Sequence, residues 1–401
     1  MLFFGYSDFM RTGVATVPLD YGRCPRWLFE RMTRLGRGIT VAIIEEFGAE
    51  VMLKRLSDPV WFQSLGCVMG FDWNSSGLTV TTMGALKEAV KGLETDLGFY
   101  ICGGKRVSHK TPEEAQNWGN CLGWEESKTD SLVNASRMAA KVDSALVQDG
   151  FSIYAHNLIF TESGEWAVIQ QGMNTAIQKA RRYHWLSEGV KDFCQEPHSG
   201  IASDARLKPL NLTARDSAKN KTIAAEMVKL EPDAFLKNLQ GAARQVSKNM
   251  PSVANPNKSV LGSQGRLPGF SEMELNDVEF HWHPVVTEKF DTKRLKKAIE
   301  GVHSLGPENF TEVLSAEGVG PKTIRALSLV AEIVYGAKPS YEDPARYTFA
   351  VGGKDGTPFP VDRATYDRML DAIERGIKLS RTNPREIDRA CQRLETITYP
   401  F

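Results

Sequence analysis

The sequence predicts an α+β N-terminal part followed by a mostly α-helical C-terminal domain. Three observations lead to that division. Two β-rich runs, Phe151–Phe160 and Trp166–Gln171, flank the turn Thr161-Glu-Ser-Gly164 and read as a hairpin. Apolar residues recur at helical spacing in several segments before the hairpin. Beyond Thr292 the chain is a series of helical periodicities separated by short breaks.

Trp27, Leu28, Met32 and Leu35, then Val41, Ile44, Phe47 and Val51, predict two helices parted near Gly36 and Gly38. Asp58-Pro59 marks a turn before the apolar run Val60–Gly70. The stretch Asp72–Gly77 reads as a loop, followed by a Thr-rich segment and a helix near Ala85–Leu93. Gly103-Gly104-Lys105 reads as another loop, and helical spacing returns over Leu132–Val147 before the hairpin. From residue 205 to 266 there are eleven Lys or Arg against four Asp or Glu, and Met250–Gly269 has the Pro, Gly, Asn and Ser content of a linker. Helices are then expected at Lys293–Val302, Pro307–Ala316, Thr323–Tyr335, Thr365–Ile377 and Pro384–Ile397. The resulting division is 1–200 as an α+β domain, 201–290 as a basic connecting region with helices and a Pro/Gly/Ser-rich loop, and 291–401 as a helical domain.

Composition bounds the function. At 401 residues, 42% hydrophobic and 24% charged, the chain has the make-up of an ordinary globular protein. Lys plus Arg and Asp plus Glu are both 49, which excludes a wholly basic coat protein and an acidic disordered tail. Local basic faces survive such a balance. The six cysteines form no Cys-x-x-Cys pair, so zinc ribbons and dithiol redox motifs are excluded. The N-terminus lacks a basic n-region, and no apolar run approaches the roughly 20 residues of a membrane span. A cytoplasmic protein without a membrane partner is the expectation; the sequence sets no oligomeric state. Neither glycine-containing loop has Walker spacing, which argues against an NTPase.

The most informative motif is Glu317-Gly318-Val319-Gly320-Pro321-Lys322-Thr323, between two amphipathic segments. It resembles the helix-hairpin-helix motif, with Ile324 where that motif usually has alanine. Glycines let the backbone turn and approach a phosphate, Val319 plugs the space between helices, and the following helix N-terminus with Lys322 and Thr323 offers donors to an anion. The alternative is a tight helix–helix corner with no ligand. Further on, Pro360-Val361-Asp362 is similar to the loop ending of helix-hairpin-helix DNA glycosylases. That resemblance implies Lys322 as the nucleophile at the sugar carbon and Asp362 as its electrostatic partner. Forty residues separate the two, so Ser340–Gly356 would be an insertion. The competing reading leaves Lys322 as a phosphate contact and Asp362 as a helix cap.

Other residues suggest different chemistry. Asp143, Asp149 and Glu165, with Gln170 and Gln171 on the second hairpin strand, are candidates for a metal-dependent nuclease core, although acid-x-Lys is missing there. A divalent metal belongs to that reading alone; otherwise no cofactor is expected. Arg181 and Arg182 beside Tyr183, His184 and Trp185 suit backbone contact with base stacking, or else an amphipathic helix with its aromatics turned inward. His281-Trp282-His283 could place two imidazoles on one strand face, with no third ligand in view.

Across most of its length the chain also resembles an uncharacterised family of archaeal and bacterial proteins, a domain of unknown function. Asp58-Pro-Val-Trp-Phe-Gln-Ser-Leu-Gly66, Asp72-Trp-Asn-Ser-Ser-Gly77, Lys141-Val-Asp143, Val147-Gln-Asp-Gly150, Gln170-Gln-Gly-Met173, Ala180–Trp185, Asn211-Leu-Thr213, Gly318–Leu327 and Asp343-Pro-Ala-Arg-Tyr347 carry that resemblance. It implies one architecture joining the N-terminal part to the hairpin motif, and no particular activity. Taken together, the expectation is a DNA-binding protein and DNA-repair enzyme with base-excision chemistry. The alternatives are a metal-dependent nuclease and a non-enzymatic DNA-binding adaptor.

Overall fold

The computed structural model describes residues 24–71, 77–105, 107–203, 205–248, 290–345, 371, 374–378 and 384–398. Its centre is a five-stranded antiparallel sheet of β1 (Phe99–Lys105), β3 (Ser152–Thr161), β4 (Trp166–Asn174), β5 (Lys179–Leu186) and β6 (His198–Ala202), in that spatial order. Two short strands, β2 (Val147–Gln148) and β7 (Leu210–Asn211), pair separately. The hairpin expected at Phe151–Gln171 is β3 and β4, closed over the Thr161–Glu165 turn.

Both faces of the sheet are covered. Phe99, Ile101, Ile159, Ala167 and Ile169 face one apolar layer with Met32, Leu35, Ile39 and Ile43 of α1 (Arg26–Phe47), α2 (Ala49–Leu56), α3 (Pro59–Val68) and α4 (Gly77–Val90). Tyr100, Cys102, Leu158, Phe160, Val168 and Trp185 face the other. After the short α5 (Glu94–Leu97), that second layer receives α6 (Thr111–Cys121), α7 (Glu126–Ala145), α8 (Ala218–Met227) and α9 (Pro232–Lys248). The same apolar cluster continues without interruption into α10 (Thr292–Leu305), α11 (Phe310–Ser315) and α12 (Pro321–Ile333). A last helix, α13 (Pro384–Thr398), packs on α3. Each Leu or Ile fully withdrawn from water contributes about 1.5–3 kcal/mol, so the two layers are the main source of stability.

Several local expectations are corrected. Gly36 and Gly38 do not break α1, because Gly36 is buried within the helix; the break comes at Gly48, whose φ of 91° no longer suits a helix. The Thr-rich stretch belongs to α4, where Thr79 and Thr82 are buried between α-helical turns. Gly103-Gly104-Lys105 is the end of β1 and pairs with Ala155–Asn157. Arg181–Trp185 lies in a strand whose alternate side chains enter opposite buried layers. The sequence Asp72–Ser76, His281-Trp282-His283 and Asp362 lie outside the described residues.

Candidate functional site

Under the sheet, α7 and four strands assemble a chain of buried polar groups. Ser136 and Asp143 are two helical turns apart on α7, which puts both on the side turned to the strands. His156 on β3 pairs with Gln170 on β4, which pairs with Tyr183 on β5. The His156 Nδ1–H donates to Gln170 Oε1 (2.8 Å), leaving Nε2 to accept from the Ser136 hydroxyl (2.8 Å). Gln170 Nε2 donates onward to Asp143 Oδ2 and to the Ala139 carbonyl. Asp143 also accepts from Trp185 Nε1–H (3.0 Å) and from His198 Nε2–H (2.5 Å). Burial holds the His156 pKa below its ordinary value, which keeps the ring neutral and able to accept from serine.

A second group adjoins it, since the Tyr183 and His198 rings lie 6.2 Å apart. The Asp149 carboxylate accepts from Arg181 Nη1 (2.8 Å), the Tyr183 hydroxyl (2.7 Å) and the Phe151 amide (3.0 Å). Arg181 Nη2 reaches Asp343 (2.8 Å) and the Ala205 carbonyl (3.0 Å). Burial pushes the Asp149 carboxyl up, and the Arg181 guanidinium opposes that push.

The other face carries a separate cluster. Arg182 donates through Nε to His184 Nε2 (2.7 Å), through Nη1 to Gln63 Oε1 (2.9 Å) and Thr79 (3.3 Å), and through Nη2 to the Pro59 carbonyl (3.1 Å). Burial lowers the Arg182 pKa to about 9 and that of His184 well below its usual value, with the adjacent guanidinium adding to the histidine's shift.

The candidate nuclease residues are therefore divided. Asp143 and Gln170 are brought together, Asp149 is bound to Arg181, and Glu165 stays in the β3–β4 turn. Gln171 turns elsewhere, its Nε2 donating to the Tyr154 hydroxyl (2.6 Å). Among the described residues no three His, Cys, Asp or Glu side chains form a group that could hold a metal. Arg181 and Arg182 are buried at 0% and 6% exposure, so their charge is spent inside the fold rather than at a phosphate-accessible surface. Spacing along the chain could not have shown the roles of His156, Trp185 and His198, which register alone brings beside Asp143.

The second candidate is the turn between α11 and α12. Gly318 has φ of +80°, Val319 is buried, and Gly320 is the extended N-cap residue before Pro321. Gly320 has no side chain to cap the helix, while Glu317, Gly318 and Lys322 are exposed. Thr323 is buried. Two ties fix the turn to the rest of the molecule: Lys141 Nζ donates to the Ala316 carbonyl (2.8 Å) and Gln148 Nε2 to the Pro321 carbonyl (2.9 Å).

Residues 13–361 match the family model described as protein of unknown function (DUF763). The chain belongs to this family. The match takes in both the sheet with its buried network and the α11–α12 turn. No curated protein and no solved structure matches the chain. No helix among the described residues is long and apolar enough to cross a membrane.

Proposed function

We propose that the chain is a DNA-binding protein that grips the phosphate backbone with the α11–α12 turn. One observation carries the reading: glycine in left-handed conformation, a buried Val319 plug, an uncapped Gly320 and an exposed Lys322 follow one another at the start of a 13-residue helix. That order leaves backbone near the helix N-terminus approachable, and the helix dipole favours an anion there. Lys322 adds a point charge beside it. Lys141 and Gln148 hold the turn from behind, so little ordering entropy opposes binding. Contacts of this kind position a duplex without reading its sequence.

In this reading Lys322 contacts phosphate, and the buried network under the sheet specifies and rigidifies the fold. His156, Gln170 and Asp143 satisfy one another at under 5% exposure, an arrangement suited to a structural core. The test is fluorescence anisotropy of labelled duplex DNA at several salt concentrations. Affinity is expected to fall steeply with salt, and Lys322→Ala is expected to lower the slope of log K against log salt by about 1. Salt-indifferent binding, or none, would overturn the reading.

A further inference from the structure

The first helix carries a surface that its core face does not account for. Met32, Leu35, Ile39 and Ile43 of α1 enter the apolar layer. On the outer side Trp27 is 56% exposed, and Arg34 and Arg37 are exposed as well. The Arg31 guanidinium lies over the Trp27 ring, 4.9 Å from its centroid. At 3.6 residues per turn Trp27, Arg31 and Arg34 form one stripe, with Arg37 beside it. From residue 26 to residue 37 there are four arginines and one acid, Glu30, which pairs with Arg26 at 2.9 Å. Among the described residues neither Arg34 nor Arg37 has an ion-pair partner.

We propose that this edge of α1 binds single-stranded nucleic acid, with a base stacked on Trp27 and backbone phosphates held by Arg34 and Arg37. Every base has a planar face that can stack on an indole, and a guanidinium fork matches phosphate oxygens. From Trp27 to Arg37 the helix rises about 15 Å, long enough to follow a few nucleotides. A membrane surface is a poorer occupant, because an interfacial helix must insert its apolar face and that of α1 is already in the core. An acidic protein segment would satisfy the arginines and leave Trp27 without a planar partner. The site lies on α1, in a different apolar layer from the α11–α12 turn, and does not depend on what that turn binds.

The experiment is anisotropy of a labelled oligothymidylate with the full chain. Trp27→Ala is expected to weaken binding by about 5- to 100-fold, the loss of one base stack, while Trp27→Phe retains most of the affinity. The double change Arg34→Glu, Arg37→Glu is expected to cost at least about tenfold and to flatten the salt dependence. Both sets of changes should have the same effect in a Lys322→Ala background, which separates this surface from the turn. Trp27, Arg34 and Arg37 are all on the outer side of α1, and thermal melting checks that each variant remains folded. Wild-type affinity in Trp27→Ala or in the double variant would overturn the proposal. So would equally tight binding of phosphatidylserine vesicles or polyglutamate.

Discussion

The Arg181 guanidinium and the Asp149 carboxylate meet at 2.8 Å with both side chains wholly buried. Arg181 also bridges to Asp343, joining β5 to the segment that follows α12. A buried pair of this kind contributes little over an apolar replacement, yet removing one partner leaves the other charge stranded. Arg181→Met is therefore expected to cost about 3–5 kcal/mol in urea unfolding. Adding Asp149→Asn should restore part of that loss, because the stranded carboxylate is gone and Tyr183 can still bond the amide oxygen. If the double variant is no more stable than Arg181→Met, the pair is not the source of the cost.

His156 and His184 make stability depend on acidity. Burial lowers both pKa values, so both rings are neutral in the folded chain. In the unfolded chain each takes up a proton near pH 6.5. The unfolded state then binds more protons below about pH 6.5, and stability falls as pH drops through that value, by up to about 1.4 kcal/mol per pH unit for each ring. Melting temperature is expected to decline between pH 7 and pH 5. His156→Gln should reduce the slope even though it lowers stability at pH 7. An unchanged slope would mean that His156 is not among the groups responsible.

How far the sequence disclosed this architecture depended on what each segment buries. α7 and α10 were legible because one side of each meets an apolar layer. The β3–β4 hairpin, covered on both faces, was legible from its β-rich apolar runs and the turn between them, and α12 from the glycines before it and the proline that opens it. β5 was not, because Arg181, Tyr183 and Trp185 enter one layer while Arg182 and His184 enter the other, and a strand buried on both faces loses its polar alternation. The helix expected near Ala85–Leu93 begins earlier, at Gly77, because its Thr-rich first half packs against α1 and α3 and that burial outweighs the low helix propensity of threonine. Asp143 and Gln170 stand out in the sequence as members of one candidate metal-dependent nuclease core, together with Asp149, Glu165 and Gln171. The joining of Asp143 and Gln170 through Ser136, His156, Trp185 and His198 depends on register across four strands, which no local spacing encodes.

Two glycines separate conformational strain from crowding. Gly103 and Gly318 have nearly equal φ, +84° and +80°. A Cβ on Gly103 would sit 2.3 Å from the His156 carbonyl oxygen and 2.5 Å from Thr111 Oγ1, whereas one on Gly318 meets nothing nearer than Ala298 at 4.0 Å. Gly318→Ala should cost about 1–2 kcal/mol, the left-handed backbone alone. Gly103→Ala adds overpacking of about 1–3 kcal/mol and pushes β1 off β3. Equal losses in thermal or urea unfolding would show that β1 yields at Gly103.

The α11–α12 turn carries its own opposing charge, and that supplies the sharpest test of phosphate binding. Glu317 is exposed immediately before Gly318, and Lys322 is exposed immediately after Pro321. If a phosphate sits at the start of α12, Glu317 repels it and Lys322 attracts it, both across water-accessible distances. Glu317→Gln should therefore tighten DNA binding modestly, by about two- to fivefold, and Lys322→Gln should weaken it by a similar factor, since exposed charge interactions amount to about 0.3–1 kcal/mol. Both effects should shrink in higher salt, because a Debye length of about 8 Å at physiological ionic strength screens them. A lysine that only contacts phosphate forms no imine, so borohydride should trap no covalent adduct between the wild-type chain and abasic DNA. A trapped adduct that disappears in Lys322→Gln would make Lys322 a nucleophile instead. If Glu317→Gln leaves affinity unchanged while Lys322→Gln abolishes it, the anion lies further from Gly318 than the turn geometry requires.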